Sequence, residues 1–378
     1  MSTTLCTYLC NLACRGTGIT IAAMTPPTTL PRPAVAQILS SPAYPDTVWN
    51  LTPTQSGKVP VAEGRGGPFN IDYEVHGKGD IKLVWIMGLG TIKSAFQRQT
   101  KEFGHDEGDK YSSLIFDNRG MGGSDKPVLR YTTSEMAKDV IELLDHLGWT
   151  EERQLNVSGV SMGGMIAQEL ALLIPNRINS LNLISTAAAI ENTTTWAENL
   201  WTRISMFIPK SLDKAIVDGS RMLFSDAWLD SPDDTEVPTT STPGVILPPS
   251  GAYKKWATNY ERFAAHELVK RLNPVDFPRK GFILQAIAAG WHYKSADDLK
   301  RLGDAVGRER IMVMHGTADK MITLPHGRKL IEMLAPGTGL IKEGNGHVFM
   351  VEEWKWHNEM VRKMAEKGLE FNREGKKP

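Results

Sequence analysis

A serine flanked by glycines, Gly159-Val160-Ser161-Met162-Gly163, is the feature that most constrains how this chain folds. A run typical of a β-strand, residues 154–160, precedes the serine, and a run typical of an α-helix, residues 162–174, follows it. The chain must therefore reverse sharply at Ser161, where glycines avoid the clash that Cβ atoms would make. Such a turn raises the hydroxyl above the carboxyl edge of a sheet. It also places the Met162 N–H at a helix N-terminus, where developing negative charge is stabilised.

Two later segments supply the partners that a serine nucleophile needs. Asp319 follows a predicted apolar strand at residues 310–314, and His347 lies in a glycine-bearing loop after a predicted strand at residues 339–342. A histidine can take the serine proton, and a carboxylate orients the histidine and stabilises its charged form. Taken singly, Ser161 is equally well interpreted as an incidental turn residue, Asp319 as a helix cap and His347 as a structural loop residue. Their joint placement after successive strands favours a catalytic triad.

Strand and helix patterns alternate through most of the chain. Strands are predicted at residues 69–75, 81–86, 112–116 and 178–184, and a helix is predicted at residues 135–147. The strand at residues 81–86 is apolar almost throughout, as expected when both faces of a sheet are covered. This alternation predicts an α/β fold, with a mostly parallel central sheet and helices on both faces.

Four segments, in their order along the chain, resemble the α/β-hydrolase family in its single-domain serine-hydrolase form, over roughly residues 69–367. Met87-Gly88-Leu89-Gly90 resembles the oxyanion loop, and residues 117–124 resemble the glycine-rich loop after the fourth strand. Residues 159–164 resemble the nucleophile elbow, and residues 315–319 and 346–347 resemble the acid and base loops. The resemblance implies that the backbone N–H groups of Leu89 and Met162 form an oxyanion hole. Many relatives carry His-Gly where this chain has Met87-Gly88, so the loop is supported differently here.

The resemblance implies a serine hydrolase that acts on a small-molecule carboxylic ester through an acyl-enzyme. Thioesterase, lactonase, amidase and cofactor-free haloperoxidase or perhydrolase use the same triad and stay open, as does a non-hydrolytic member, a lyase or a binding protein. No cofactor and no metal ion are expected. The glycine-rich residues 120–123 lack the Lys-Ser/Thr of a phosphate-binding loop and the glycine spacing of a dinucleotide site. We interpret Asp117 and Arg119 as an ion pair that braces this loop.

The alternation stops between residues 186 and 293, where we predict a helical cap insertion. The α/β-hydrolase core then comprises residues 67–185 and 294–370. Helix formers and aromatic residues fill the insertion, which a Thr- and Pro-rich loop interrupts at residues 231–249. Gln285 and His292 are the candidate substrate-pocket residues, with a packing or solvent-facing role as the alternative.

Both ends of the chain differ from the core. Residues 1–66 contain no acidic residue before Asp46 and are rich in Thr, Ser and Pro, so we predict a disordered or loosely packed arm. Mitochondrial targeting by this arm is the alternative to the cytoplasmic location that we expect, and Met24 is an alternative initiator. The only cysteines, Cys6, Cys10 and Cys14, would share one helical face without a fourth metal ligand. Residues 371–378 are predicted to be a charged tail.

Composition limits the partners of this protein. Lys plus Arg and Asp plus Glu both number 43, so the formal net charge is zero and favours neither nucleic acid nor an anionic membrane. No apolar run reaches the roughly 18 residues that a membrane-spanning helix needs. The expected partner is a small-molecule acyl substrate, and the oligomeric state stays open.

Overall fold

The computed structural model describes residues 31–191 and 210–375. Several predictions concern residues outside these ranges. They are the first 30 residues of the arm with Cys6, Cys10 and Cys14, residues 192–209 of the insertion, and residues 376–378 of the tail.

The described strands form a central sheet and a separate short pair. They are β1 (Asn50–Leu51), β2 (Gln55–Val61), β3 (Phe69–His76), β4 (Ile81–Ile86), β5 (Tyr111–Phe116), β6 (Leu155–Val160), β7 (Ile178–Ile184), β8 (Val245–Ile246), β9 (Ile311–Gly316) and β10 (Thr338–Lys342). The central sheet has the order β10-β9-β7-β6-β4-β5-β3-β2, and β1 pairs with β8 outside it. Neighbours from β5 to β10 run parallel, whereas β3 is antiparallel to both β2 and β5. The mostly parallel sheet predicted from the sequence is confirmed.

Helices cover both faces of this sheet. The described α-helices are α1 (Val35–Ser40), α2 (Gln97–Lys101), α3 (Thr133–His146), α4 (Met162–Leu173), α5 (Leu212–Leu223), α6 (Asp226–Asp230), α7 (Asn259–Arg271), α8 (Arg279–Gly290), α9 (Ala296–Val306), α10 (Leu324–Leu334), α11 (Phe349–Glu352) and α12 (Trp354–Arg373). Val84 and Ile86 of β4 are buried with residues of α3, α4, α9 and α10. Leu83 and Trp85 are buried on the opposite face with residues of α12. The alternation along β4 follows from the two-residue period of a strand.

The prediction of a loosely packed arm is wrong for residues 50–61. All seven residues of β2 pair with β3, and Val59 and Val61 are buried. β1 pairs with β8, which lies within the insertion. Strand pairing satisfies the backbone hydrogen-bonding groups of this segment, so residues 50–61 are an ordered part of the fold.

The predicted insertion contains four helices in its described part. Helices α5 to α8 lie between β7 and α9, and Phe224, Tyr260 and Leu268 from this region share a buried cluster with Ile38 of α1. The predicted tail begins too early, because α12 continues to Arg373 and Asn372 accepts a hydrogen bond from Arg310. Within the described ranges no helix combines the length and hydrophobicity needed to cross a bilayer.

Candidate active site

Ser161 occupies the turn between β6 and α4 in a conformation that few residues adopt. Its φ is 57° and its ψ is −123°, a positive-φ geometry that is costly for any residue with a Cβ atom. Two contacts hold it there: its N–H donates to Ile184 O at 2.9 Å, and Thr186 Oγ1 donates to its carbonyl at 2.8 Å. These contacts fix the backbone of Ser161 in this conformation, and the residue is 7% exposed.

The glycines around Ser161 are required by close packing. A Cβ atom on Gly159 would lie 2.3 Å from Gly163 O, and one on Gly163 would lie 2.1 Å from Ile86 O at the end of β4. A Cβ atom on Gly164 would lie 2.6 Å from Thr186 Cβ. These contacts press the start of α4 onto the carboxyl ends of the central strands, which fixes the height of Ser161 above the sheet.

Asp319 and His347 are joined directly. His347 Nδ1 lies 2.7 Å from Asp319 Oδ2, and both side chains are buried. The other carboxylate oxygen, Asp319 Oδ1, accepts the N–H groups of Met321 and Ile322, each at 2.9 Å. A carboxylate held on both oxygens can fix one orientation of the imidazole ring and stabilise its charged form.

His347 Nε2 is buried and has no hydrogen-bond partner among the described residues. The structure therefore brings Asp319 and His347 together but contains no hydrogen bond between His347 Nε2 and Ser161 Oγ. In ligand-free enzymes such bonds are often long, and they tighten when substrate binds. A free Nε2 on an oriented imidazole is the form that can accept a proton.

The predicted oxyanion loop lies against Ser161. A Cβ atom on Gly88 would be 3.2 Å from Ser161 Cβ and 3.8 Å from Ser161 Oγ. Neither the Leu89 N–H nor the Met162 N–H donates to another described residue. Two unpaired backbone donors beside a serine hydroxyl are suited to bind the oxygen of a tetrahedral intermediate.

His315 is a neighbour of Asp319 that the sequence analysis missed. Its Nε2 lies 2.6 Å from Ile322 O and 3.4 Å from Asp319 Oδ2. Burial lowers the pKa of His315, although the Asp319 charge opposes this shift. A neutral ring with a proton on Nε2 can donate to Ile322 O and so brace the loop that presents Asp319. The sequence offered only the position of His315 at the end of β9, which does not distinguish it from a packing residue.

Gln285 and His292 contact other parts of the chain than Ser161, Asp319 and His347. Gln285 is fully buried, and both ends of its amide bind backbone: Oε1 accepts from the Gly90 N–H and Nε2 donates to Arg119 O, each at 2.9 Å. His292 Nδ1 lies 2.9 Å from Thr133 Oγ1 at the start of α3. That either residue lines a substrate pocket stays a prediction.

The predicted ion pair between Asp117 and Arg119 is wrong. Arg119 binds Asp139 of α3 through Nε and Nη2, both at 2.6 Å, and its guanidinium lies over the ring of Phe69. Asp117 instead accepts backbone N–H groups, one of them from Gly123 at 2.9 Å. The two side chains therefore have different partners, and each braces the loop separately. Among the residues that the structure describes, no group of three or more His, Cys, Asp or Glu side chains could hold a metal ion.

His292 is expected to make the stability of the fold depend on pH. Burial, with the Lys294 charge nearby, lowers its pKa to about 3, whereas an unfolded chain has a histidine pKa of about 6.5. The unfolded state therefore takes up a proton first, so the stability is present above pH 6.5 and lost as the pH falls towards 3. Between pH 7 and pH 5, the unfolding free energy of the native protein is expected to fall by about 2 kcal/mol more than that of His292→Gln.

Urea unfolding at the two pH values measures this difference. His146 lies exposed at the end of α3, so His146→Gln is the matched control and should keep the native pH dependence. Equal pH dependence in His292→Gln and the native protein would show that the buried ring does not stay neutral.

Comparison with known families and curated proteins gives one consistent result. The family model described as the α/β hydrolase fold matches residues 75–353. The 3-oxoadipate enol-lactonase 2 of Acinetobacter baylyi is 37% identical over 127 residues, which is 33% of this chain and 45% of that protein. The chain thus spans less than half the length of this curated relative.

Solved structures resemble most of this chain. An esterase of Thermogutta terrifontis superposes with a TM-score of 0.62 and 18% identity, covering 83% of this chain and 99% of the esterase. The enol-lactonase of Burkholderia xenovorans LB400 superposes with a TM-score of 0.58 and 20% identity, covering 82% of this chain and 99% of the lactonase. At these identities the likeness concerns the fold alone.

Proposed function

The chain belongs to the α/β-hydrolase fold family, and from that premise we propose that it is a serine hydrolase that cleaves a small-molecule carboxylic ester. The observation that carries the proposal is the buried 2.7 Å contact between His347 Nδ1 and Asp319 Oδ2, which leaves His347 Nε2 without a partner among the described residues. An imidazole held in this way is a general base, and Ser161 is the nucleophile that it would serve.

The proposed reaction has two steps. His347 Nε2 takes the proton of Ser161 as Oγ bonds to the acyl carbon, and the carbonyl electrons move to the oxygen. The N–H groups of Leu89 and Met162 bind this oxyanion, each contributing about 3 kcal/mol to the lowering of the barrier. The tetrahedral intermediate then collapses, and His347 gives its proton to the leaving alcohol. Water attacks the acyl-enzyme in the same way and releases the acid, while Asp319 stays ionised.

A cyclic ester is the second candidate substrate. The sequence identity to an enzyme named as an enol-lactonase favours it over the other open alternatives. Lactone opening uses the same proton transfers, except that the leaving alcohol stays tethered to the acyl group. Hydrolysis rates on a panel of aryl esters, thioesters, lactones and amides separate these classes.

Covalent labelling tests the nucleophile without knowledge of the substrate. A fluorophosphonate is expected to phosphonylate the folded protein at one position, and peptide mass spectrometry should find it on Ser161. Ser185 is a matched control, because it is a buried serine with positive φ at the end of the neighbouring strand β7. Ser185→Ala should label normally and Ser161→Ala should not. A folded native protein that resists labelling, or that labels elsewhere, would contradict the proposal.

A further inference from the structure

Gly90, the last residue of the predicted oxyanion loop, is held on three sides by the insertion. Its N–H donates to Gln285 Oε1 of α8 at 2.9 Å, and its carbonyl accepts from Lys270 Nζ of α7 at 2.9 Å. Its φ is +64°, and a Cβ atom there would lie 2.7 Å from the Phe282 ring and 3.3 Å from the Phe277 ring.

The peptide group that carries the Leu89 N–H lies between two anchored neighbours. On one side, Asn118 Nδ2 donates to Met87 O at 3.1 Å. On the other side, Gln285 holds the Gly90 N–H. With both flanking peptide planes fixed, the Leu89 N–H has little freedom to rotate away from Ser161. Donors that are oriented before the reaction cost no reorganisation when the oxyanion forms.

Lys270 binds this loop through a buried ammonium group, and burial disfavours the charged form of that group. It is buried, and its ammonium group also pairs with Glu267 Oε2 at 2.8 Å and lies 4.9 Å from the centre of the Phe277 ring. Burial lowers the pKa of Lys270, and the Glu267 charge opposes that shift. Burial also disfavours ionised Glu267, but the Lys270 and Arg271 charges outweigh it and lower the pKa of this carboxyl to about 2. A buried cation needs such a partner, so this ion pair sustains the bond to Gly90.

We propose that Lys270 and Gln285 are positioning residues that hold Gly90 so that the Leu89 N–H is aimed at the oxyanion. This inference rests on the proposed function, and it gives the insertion a role in the chemical step itself. The support comes from α7 and α8, not from a side chain within the loop.

Three variants test the proposal. Lys270→Met keeps the aliphatic stem and removes the hydrogen bond to Gly90 O, and Gln285→Leu removes the hydrogen bond to the Gly90 N–H. Arg271→Met is the matched control, because Arg271 pairs with the same Glu267 at 2.6 Å and lies 5.2 Å from the same Phe277 ring, yet it makes no bond to Gly90.

The decisive measurement is the affinity for a trifluoromethyl ketone. Ser161 Oγ would add to its carbonyl carbon, the serine proton would pass to His347, and the oxygen would become an oxyanion. In Lys270→Met and Gln285→Leu, this affinity and the kcat for aryl esters are expected to fall together by about 10-fold to 100-fold. The KM should stay near that of Arg271→Met. The melting temperature of Gln285→Leu is expected to fall, because Arg119 O also loses its hydrogen bond, so all rates and affinities are measured at a temperature where every variant is folded.

Hydrogen exchange of the Gly90 amide is a readout independent of turnover. It should be faster in Gln285→Leu than in the native protein and unchanged in Arg271→Met. If ketone affinity and Gly90 exchange in Lys270→Met and Gln285→Leu both match the Arg271→Met control, the positioning role is overturned while ester hydrolysis by the native protein stands. A native protein that neither hydrolyses esters nor reacts with a fluorophosphonate would overturn the proposed function and the positioning role together.

Discussion

Replacing Ser161 by alanine is expected to reduce aryl ester hydrolysis by at least about 10³-fold, because the variant lacks the nucleophile that attacks the acyl carbon. The turn should survive the change, since its contacts to Ile184 O and Thr186 Oγ1 involve the backbone of residue 161. Steady-state rates on p-nitrophenyl esters of two to eight carbons measure the effect. Circular dichroism and the melting temperature establish that the variant is folded.

The rate that remains in Ser161→Ala is also informative. An oxyanion hole and a bound substrate can accelerate hydrolysis by water without the nucleophile, so a small residual activity is expected. Ser185→Ala, by contrast, should keep the native rate. Undiminished turnover in folded Ser161→Ala would mean that another residue carries the reaction.

Asp319→Asn is expected to lower kcat by about 10³-fold to 10⁴-fold with little change in KM. The reason lies in the two N–H groups of Met321 and Ile322 that bind Oδ1. They would keep the asparagine carbonyl oxygen in that position and turn its NH2 group towards His347 Nδ1. Nδ1 would then have to accept a hydrogen bond, so the ring proton would move to Nε2. An imidazole protonated on Nε2 cannot take the proton of Ser161.

Aryl ester kinetics at a series of pH values test this account. Asp304→Asn is a suitable control, because Asp304 pairs with Lys300 on the exposed side of α9. A drop confined to Asp319→Asn, with normal thermal stability, would support the tautomer argument. A variant that keeps more than a tenth of the native kcat would contradict it.

The sequence predicted those parts of the fold that local patterns determine. The strand pattern before Ser161 and the helical pattern after it predicted β6 and α4 to within a residue at each end, because periodicity is a property of neighbouring residues. Asp319 and His347 are 28 residues apart in the sequence, and only the order of their loops along the chain suggested that they are in contact.

Local sequence patterns could not predict the contacts around Gly90. Lys270 and Gln285 lie 180 and 195 residues from it, and no periodicity indicates which side chain of a helix will meet a distant loop. The β2 strand was missed for a different reason. It contains Gly57 and Pro60, both depleted in strands, and only a strand at the edge of a sheet tolerates proline well.

The position of β2 affects where this protein can be cut. The family match begins at residue 75, within β3 and after the whole of β2. A fragment that begins at residue 75 would lose β2 and nearly all of β3, and β5 would become the edge strand of the sheet. All six residues of β5 are buried in the intact molecule. An exposed apolar edge strand pairs with strands of other chains, so the shortened protein is expected to aggregate. A fragment that starts before residue 50 would keep β2 and β3 and so keep β5 covered.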